Sequence, residues 1–120
     1  MSPEKAKVFV AEDDPDFLDV VTRRLTLSGH SVVLSARTLI QALASIDQFG
    51  ELGVNVAILD GDLNGRGDTS GCDGQSVLKA IRERAPGVKT VGLSGDPMSG
   101  VDYDLGKFDS TEVGDVVNNL

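Results

Sequence analysis

Acidic residues set directly behind apolar runs are the side chains of this sequence best placed to do chemistry. Glu12, Asp13 and Asp14 follow Lys7-Val8-Phe9-Val10-Ala11, and Asp60 and Asp62 follow Val54-Asn55-Val56-Ala57-Ile58-Leu59. Ser94 comes after the run Val88 to Leu93, and Lys107 after Tyr103-Asp104-Leu105-Gly106. Carboxylates brought close together repel one another, so such a site either raises some of their pKa values or holds a cation. All-oxygen donors without histidine or paired cysteine favour Mg²⁺ over zinc or copper. A hard cation held by few carboxylates keeps positions open for phosphate oxygens, and a carboxylate can itself attack phosphorus to give an acyl phosphate. In that chemistry Ser94 would donate a hydrogen bond to a phosphoryl oxygen and Lys107 would pair with its charge.

The elements that must position these groups alternate between strand and helix. Lys7 to Ala11 reads as a buried strand, after which Asp14 is a helix N-cap with Pro15 at the first helical position. Phe17, Leu18, Val21 and Leu25 recur at helical spacing until Ser28-Gly29 closes the segment. Ser31 to Ser35 is β-branched and short, and Thr38 caps a second helical pattern through Leu39, Ala42, Leu43 and Ile46. Val54 to Leu59 is the most strand-like run and the expected central strand. A Gly/Asp-rich loop over 64–74 precedes a helix marked by Val77, Leu78 and Ile81, which closes near Ala85-Pro86-Gly87. Val88 to Leu93 predicts a fourth strand and Tyr103 to Gly106 a weak fifth, with too little room and too much Pro and Gly between them for a full helix. The tail from Asp109 to Leu120 predicts a last short helix through Val113, Val116 and Val117, weakened by Gly114. Such alternation implies a parallel sheet covered on both faces, with ligands gathering beyond the carboxyl ends of its strands.

Composition narrows the function. The 120 residues are 40% hydrophobic, enough for one compact domain over 1–120 and too few for two. A net charge of −8, with the acids spread along the chain, argues against binding nucleic acid through its phosphates. No run approaches the roughly 18 apolar residues of a membrane span, the start lacks a secretory layout, and a cytoplasmic location is expected. Cys72 is the only cysteine and is read as a reduced thiol, while His30, behind Ser28-Gly29, is read as a solvated turn residue.

Over essentially its whole length the chain resembles the receiver domain of two-component response regulators. The matching pieces are Val8-Phe9-Val10-Ala11-Glu12-Asp13-Asp14-Pro15, Ala57-Ile58-Leu59-Asp60, Cys72-Asp73-Gly74 with Val77-Leu78 and Ile81-Arg82, Gly92-Leu93-Ser94-Gly95, and Lys107-Phe108. The resemblance implies a doubly wound α/β fold with a five-stranded parallel sheet in the flavodoxin-like order 2-1-3-4-5. It implies a phosphoryl group accepted on Asp60, with Ser94 and Lys107 assisting. Mg²⁺ would be held by Glu12, Asp13, Asp60 and the backbone carbonyl of Asp62. The implied partners are a sensor histidine kinase or phosphotransfer protein, with signalling through protein contacts or phosphorelay and no enzymatic output beyond self-phosphorylation and self-dephosphorylation.

The chain departs from that pattern in four places. The loop after Asp60 is longer, the stretch between Ser94 and Lys107 is shorter, and the helix expected there is short or absent. Phe108 replaces the proline that usually follows the lysine in a cis bond, and a cis bond without proline costs about 2.5–4 kcal/mol. Asp104 occupies the position of the family's switch aromatic, with Tyr103 one residue earlier and so on the opposite face of the strand. These departures keep open a receiver-like binding module that no longer cycles phosphate. A haloacid-dehalogenase-like phosphohydrolase is the other alternative, because Ile58-Leu59-Asp60-Gly61-Asp62 resembles that family's strand and Asp-x-Asp. Its fit is poorer, since the position wanting Thr or Val holds Asn64 and the motif normally opens the domain.

Overall fold

The computed structural model describes residues 6–60, 72–93, 100–105 and 113–118, with only the backbone considered at 72–74 and 118. Its elements run β1 (Lys7–Ala11), α1 (Pro15–Leu27), β2 (Ser31–Ala36), α2 (Leu39–Ile46), α3 (Phe49–Leu52), β3 (Val56–Leu59), α4 (Cys72–Arg84), β4 (Lys89–Gly92), β5 (Tyr103–Asp104) and α5 (Val113–Asn118). The five strands are all parallel and lie in the order β2-β1-β3-β4-β5, as the resemblance implies.

Strand periodicity divides the core in two. From β1 and β3, Phe9, Ala11, Ala57 and Leu59 face α2, α3 and α4, where they meet Ala42, Ile46, Phe49, Val77 and Ile81. Val8, Val10, Val56 and Ile58 point the other way, against Val21 and Leu25 of α1 and Val113, Val116 and Val117 of α5. Alternate residues therefore serve opposite layers, which is why β1 and β3 read as unbroken apolar runs rather than as half-polar strands.

Local signals set the helix ends. Asp14 accepts hydrogen bonds from the backbone N–H groups of Asp16 (3.0 Å) and Phe17 (3.5 Å), and Pro15 opens α1. Thr38 caps α2 by accepting from the Gln41 N–H. Gly29 then adopts a φ of 89°, a left-handed conformation that ends α1 and turns the chain into β2. Gly114, expected only to weaken the tail, has a packing role instead. A Cβ there would lie 2.8 Å from Ser28 Cβ and 3.1 Å from the Arg24 carbonyl oxygen, so glycine lets α5 press against the end of α1.

Several expectations are corrected. α4 starts at Cys72, so Cys72-Asp73-Gly74 forms its first turn rather than the end of a loop. α3 has no counterpart in the periodicity: a single turn, anchored by the buried Phe49 and closed by Gly53 at φ 72°, is too short to show one. β3 begins two residues later than expected, β4 is shorter by one residue at each end, and β5 spans only two residues. His30 is buried, 6% exposed, because its Nδ1 accepts the Ala6 N–H at 3.1 Å across the β1/β2 edge. That bond seats the ring inside the fold and removes it from solvent. Between β4 and β5 the described residues 93 and 100–102 are not helical, and 94–99 lie outside the described residues.

Candidate functional site

The backbone ladder brings the strand ends into one row. The Glu12 N–H donates to the Ala36 carbonyl (3.0 Å) just past β1 and β2, and the Asp60 N–H donates to the Ala11 carbonyl (2.9 Å) just past β3. Leu93 N–H continues the row onto the Leu59 carbonyl (2.8 Å), and Leu105 N–H onto that of Gly92 (2.8 Å). These bonds place Glu12 and Asp60 at the carboxyl edge of neighbouring central strands, where parallel sheets collect ligands.

Three of the acids named from sequence meet there. Carboxylate oxygens of Glu12, Asp13 and Asp60 all lie within 4.8 Å of one another. Glu12 and Asp60 are buried, 1% and 4% exposed, while Asp13 is half-buried and opens the group to solvent. Glu12 is also held from below, its Oε1 accepting the Asp14 N–H at 3.2 Å. Asp14 itself is turned away into its capping role, so it is not part of the group.

Charge and donor type both suit a hard divalent cation. At an effective dielectric constant near 20, two unit charges 4.8 Å apart repel by about 3 kcal/mol, before any screening at the solvent side. Three oxygen donors with one face open match the way Mg²⁺ is bound, through a few carboxylates and with positions left for phosphate. Of the remaining residues expected at the site, Asp62, Ser94 and Lys107 lie outside the described residues, as does the Lys107-Phe108 bond. Tyr103 is exposed, on a strand of two residues.

No protein-family model matches the sequence, and no curated protein matches it. Solved structures do. The signal receiver domain of NarL from Mycobacterium tuberculosis is 27% identical, with 98% of this chain and 96% of that one covered and a TM-score of 0.76. The chain has the receiver-domain fold. A CheY-like receiver domain protein from Methanospirillum hungatei superposes with a TM-score of 0.75 at 21% identity, over 97% and 93% of the two chains. The CheX-CheY complex with BeF₃ and Mg²⁺ from Borrelia burgdorferi gives a TM-score of 0.77 at 15% identity, over 95% and 87%. In the receiver fold of this chain, the acidic group occupies the carboxyl edge of β1 and β3. A cleft of about 420 Å³ lined by Ile46, Phe49, Val54, Arg84 and Val88 opens at the opposite edge, where β3 and β4 begin.

One polar network was not foreseen from the sequence. Asp102 Oδ2 accepts the Thr90 N–H (2.8 Å) and the Thr90 hydroxyl (3.1 Å), with Arg82 Nη2 at 3.5 Å. The only hint was a threonine inside the apolar run Val88 to Leu93. Burial pushes the Asp102 carboxyl up, but the Thr90 N–H and hydroxyl, with the charges of Arg82 and Lys89, outweigh it and hold the group below its ordinary value of 3.8. A carboxyl held low in the fold contributes stability that is full above its unfolded pKa and lost as pH falls through its lower folded value. Melting curves of the native protein and Asp102→Asn are therefore expected to differ by a constant amount above about pH 5 and to converge as the pH falls through the lowered folded value. A difference that persists unchanged at lower pH would show that the charge of Asp102 contributes nothing.

Among the described residues no helix is long and apolar enough to cross a membrane.

Proposed function

We propose that this chain is a phospho-accepting signalling domain that takes a phosphoryl group on Asp60. The observation that carries the reading is the meeting of Glu12, Asp13 and Asp60 at the carboxyl edge of the two central strands. The neighbouring structure solved with BeF₃ and Mg²⁺ shares this fold and supports the same chemistry. Glu12, Asp13, Asp60 and the carbonyl of Asp62 would hold Mg²⁺. When bound, the ion neutralises the acidic group and offsets the charge of an incoming phosphate.

The chain's own residues do the rest. A carboxylate oxygen of Asp60 attacks phosphorus, the new P–O bond forms, and the bond from phosphorus to the donor's leaving group breaks with its electron pair going to that group. Burial of Asp60 beside Glu12 limits the approach of water to the resulting acyl phosphate. Ser94 donates to a phosphoryl oxygen and Lys107 pairs with its charge. The donor is a sensor histidine kinase or a phosphotransfer protein, and the phosphorylated domain signals through protein contacts or passes the group on. The chain acts in this way as one receiver-like domain and not as a turnover enzyme.

Intact-mass measurement after incubation with Mg²⁺ and acetyl phosphate tests the reading. A single phosphoryl adduct is expected that survives mild acid, is lost in base, requires Mg²⁺ and is missing from Asp60→Asn. No adduct from acetyl phosphate or from any phosphotransfer partner would leave the alternative of a binding module that no longer cycles phosphate.

A further inference from the structure

β5 is held to the sheet by very little backbone. It pairs with β4 at two positions, Val91 with Tyr103 and Gly92 with Asp104, flanked by the Asp102 N–H to Thr90 carbonyl bond (3.0 Å) and the Leu105 N–H to Gly92 carbonyl bond (2.8 Å). So short an edge strand gains few ladder bonds against the entropy of ordering it, and side chains must supply the remainder.

Three side chains do so, one from α4, one from β4 and one from the residue just before β5. Arg82, near the end of α4, donates through Nη2 to the Gly100 carbonyl (2.8 Å) and the Thr90 hydroxyl (3.3 Å), and lies 3.5 Å from Asp102 Oδ2. Thr90, fully buried on β4, gives both its N–H and its hydroxyl to Asp102, and its hydroxyl oxygen accepts the Asp102 N–H at 3.1 Å. The connection is drawn close over α4: Gly100 has a φ of 84°, and a Cβ there would meet Leu78 Cδ2 at 3.2 Å. The Asp102 carboxylate thus takes a backbone donor of β4 that a longer partner strand would take with a carbonyl.

We propose that Arg82, Thr90 and Asp102 form a positioning clamp that seats β5 on β4 and so sets how the groups beyond these strands reach Asp60. The proposal rests on the reading of Asp60 as phosphoryl acceptor. Its logic is the row of ladder bonds at the carboxyl edge, where Leu93 is tied beside Asp60 through Leu59 and Leu105 is tied in turn through Gly92. Ser94 is the next residue after Leu93, and Lys107 is two residues after Leu105. None of the three clamp residues belongs to the acidic group, so the clamp acts on phosphoryl transfer and not on the cation.

Thr90→Val tests this without a change of shape or strand preference, Thr90→Ser restores the hydroxyl, and Arg82→Ala removes the cation. Each is measured for exchange of the Leu105 amide, for the rate of adduct formation with acetyl phosphate, and for Mg²⁺ affinity. Thr90→Val and Arg82→Ala are expected to speed Leu105 exchange by about tenfold or more. They are expected to slow adduct formation by about fivefold or more. Mg²⁺ affinity should stay within about twofold, and Thr90→Ser should match the native protein throughout. Native Leu105 protection, or a native adduct rate, in both disruptive variants would overturn the clamp. Should the native protein itself take no phosphoryl group, the acceptor reading fails, and Leu105 exchange alone then decides whether β5 is clamped.

Discussion

Asp13→Asn is expected to melt at a higher temperature than the native protein in a chelator, and at a lower one in excess Mg²⁺. The first half follows from charge. Asp13 stands within 4.8 Å of two buried carboxylates, and removing one charge from three removes two repulsive pairs. Each pair amounts to about 3 kcal/mol at an effective dielectric constant of 20, but Asp13 is half-buried and solvent screens it, so a net gain of about 1 kcal/mol is the reasonable size. The helix cap is not at stake, because Asp14 and not Asp13 holds it. The second half follows from mass action. A cation at about one hundred times its dissociation constant stabilises the folded state by about 2.7 kcal/mol, and the variant forfeits most of that increment with its lost ligand. The order of the two proteins therefore reverses on adding metal. Melting curves in chelator and in a Mg²⁺ series check both halves. A variant with the native response to Mg²⁺ would remove Asp13 from the cation site, and one that is less stable in chelator would show that the group does not repel itself.

How much of this was legible from sequence depends on the range of the interaction concerned. The acidic group was legible because two facts suffice: Glu12, Asp13 and Asp60 each lie just beyond an apolar run, and parallel strands end on a common edge. Caps were legible for the same reason of locality, since Asp14 and Thr38 bond to N–H groups two or three residues on. Contacts between distant segments were not. Asp102 meets Thr90 twelve residues away and Arg82 twenty residues away, and no local pattern links an arginine on a helix to a carboxylate before an edge strand. His30 failed in the same way: beside Ser28-Gly29 it looks like a turn residue, and only the arrival of Ala6 from the start of β1 explains its burial. At Cys72 the glycine and aspartate content suggested loop, yet the chain is already helical, which is tertiary packing of Val77 and Ile81 overriding a weak local preference.

Phe9→Ala is expected to cost about 3–5 kcal/mol, the loss typical of truncating a buried phenylalanine. Phe9 is fully buried on β1 and Phe49 nearly so, with ring centroids 5.0 Å apart and planes inclined at 52°. That geometry is the tilted arrangement in which aromatic quadrupoles attract, adding about 0.5–1.5 kcal/mol to the buried area. Phe49 is also the one buried residue of α3, so the ring of Phe9 is one of the groups that single turn packs against. With roughly 5–15 kcal/mol available to a domain, the variant should still fold at low temperature but melt about 10–25 °C lower. Phe9→Leu keeps most of the volume and should lose far less, and a double substitution with Phe49→Ala should cost less than the sum of the two. The functional consequence runs the other way. Phe9 lies three residues before Glu12, about 10 Å along the strand, and faces the α2 and α4 layer. Separated sites add independently, so the increment in melting temperature on adding Mg²⁺ should survive in Phe9→Ala although its baseline has dropped. Loss of that increment would mean that the packing of this layer, and not the ladder at the strand ends alone, holds the acidic group in place.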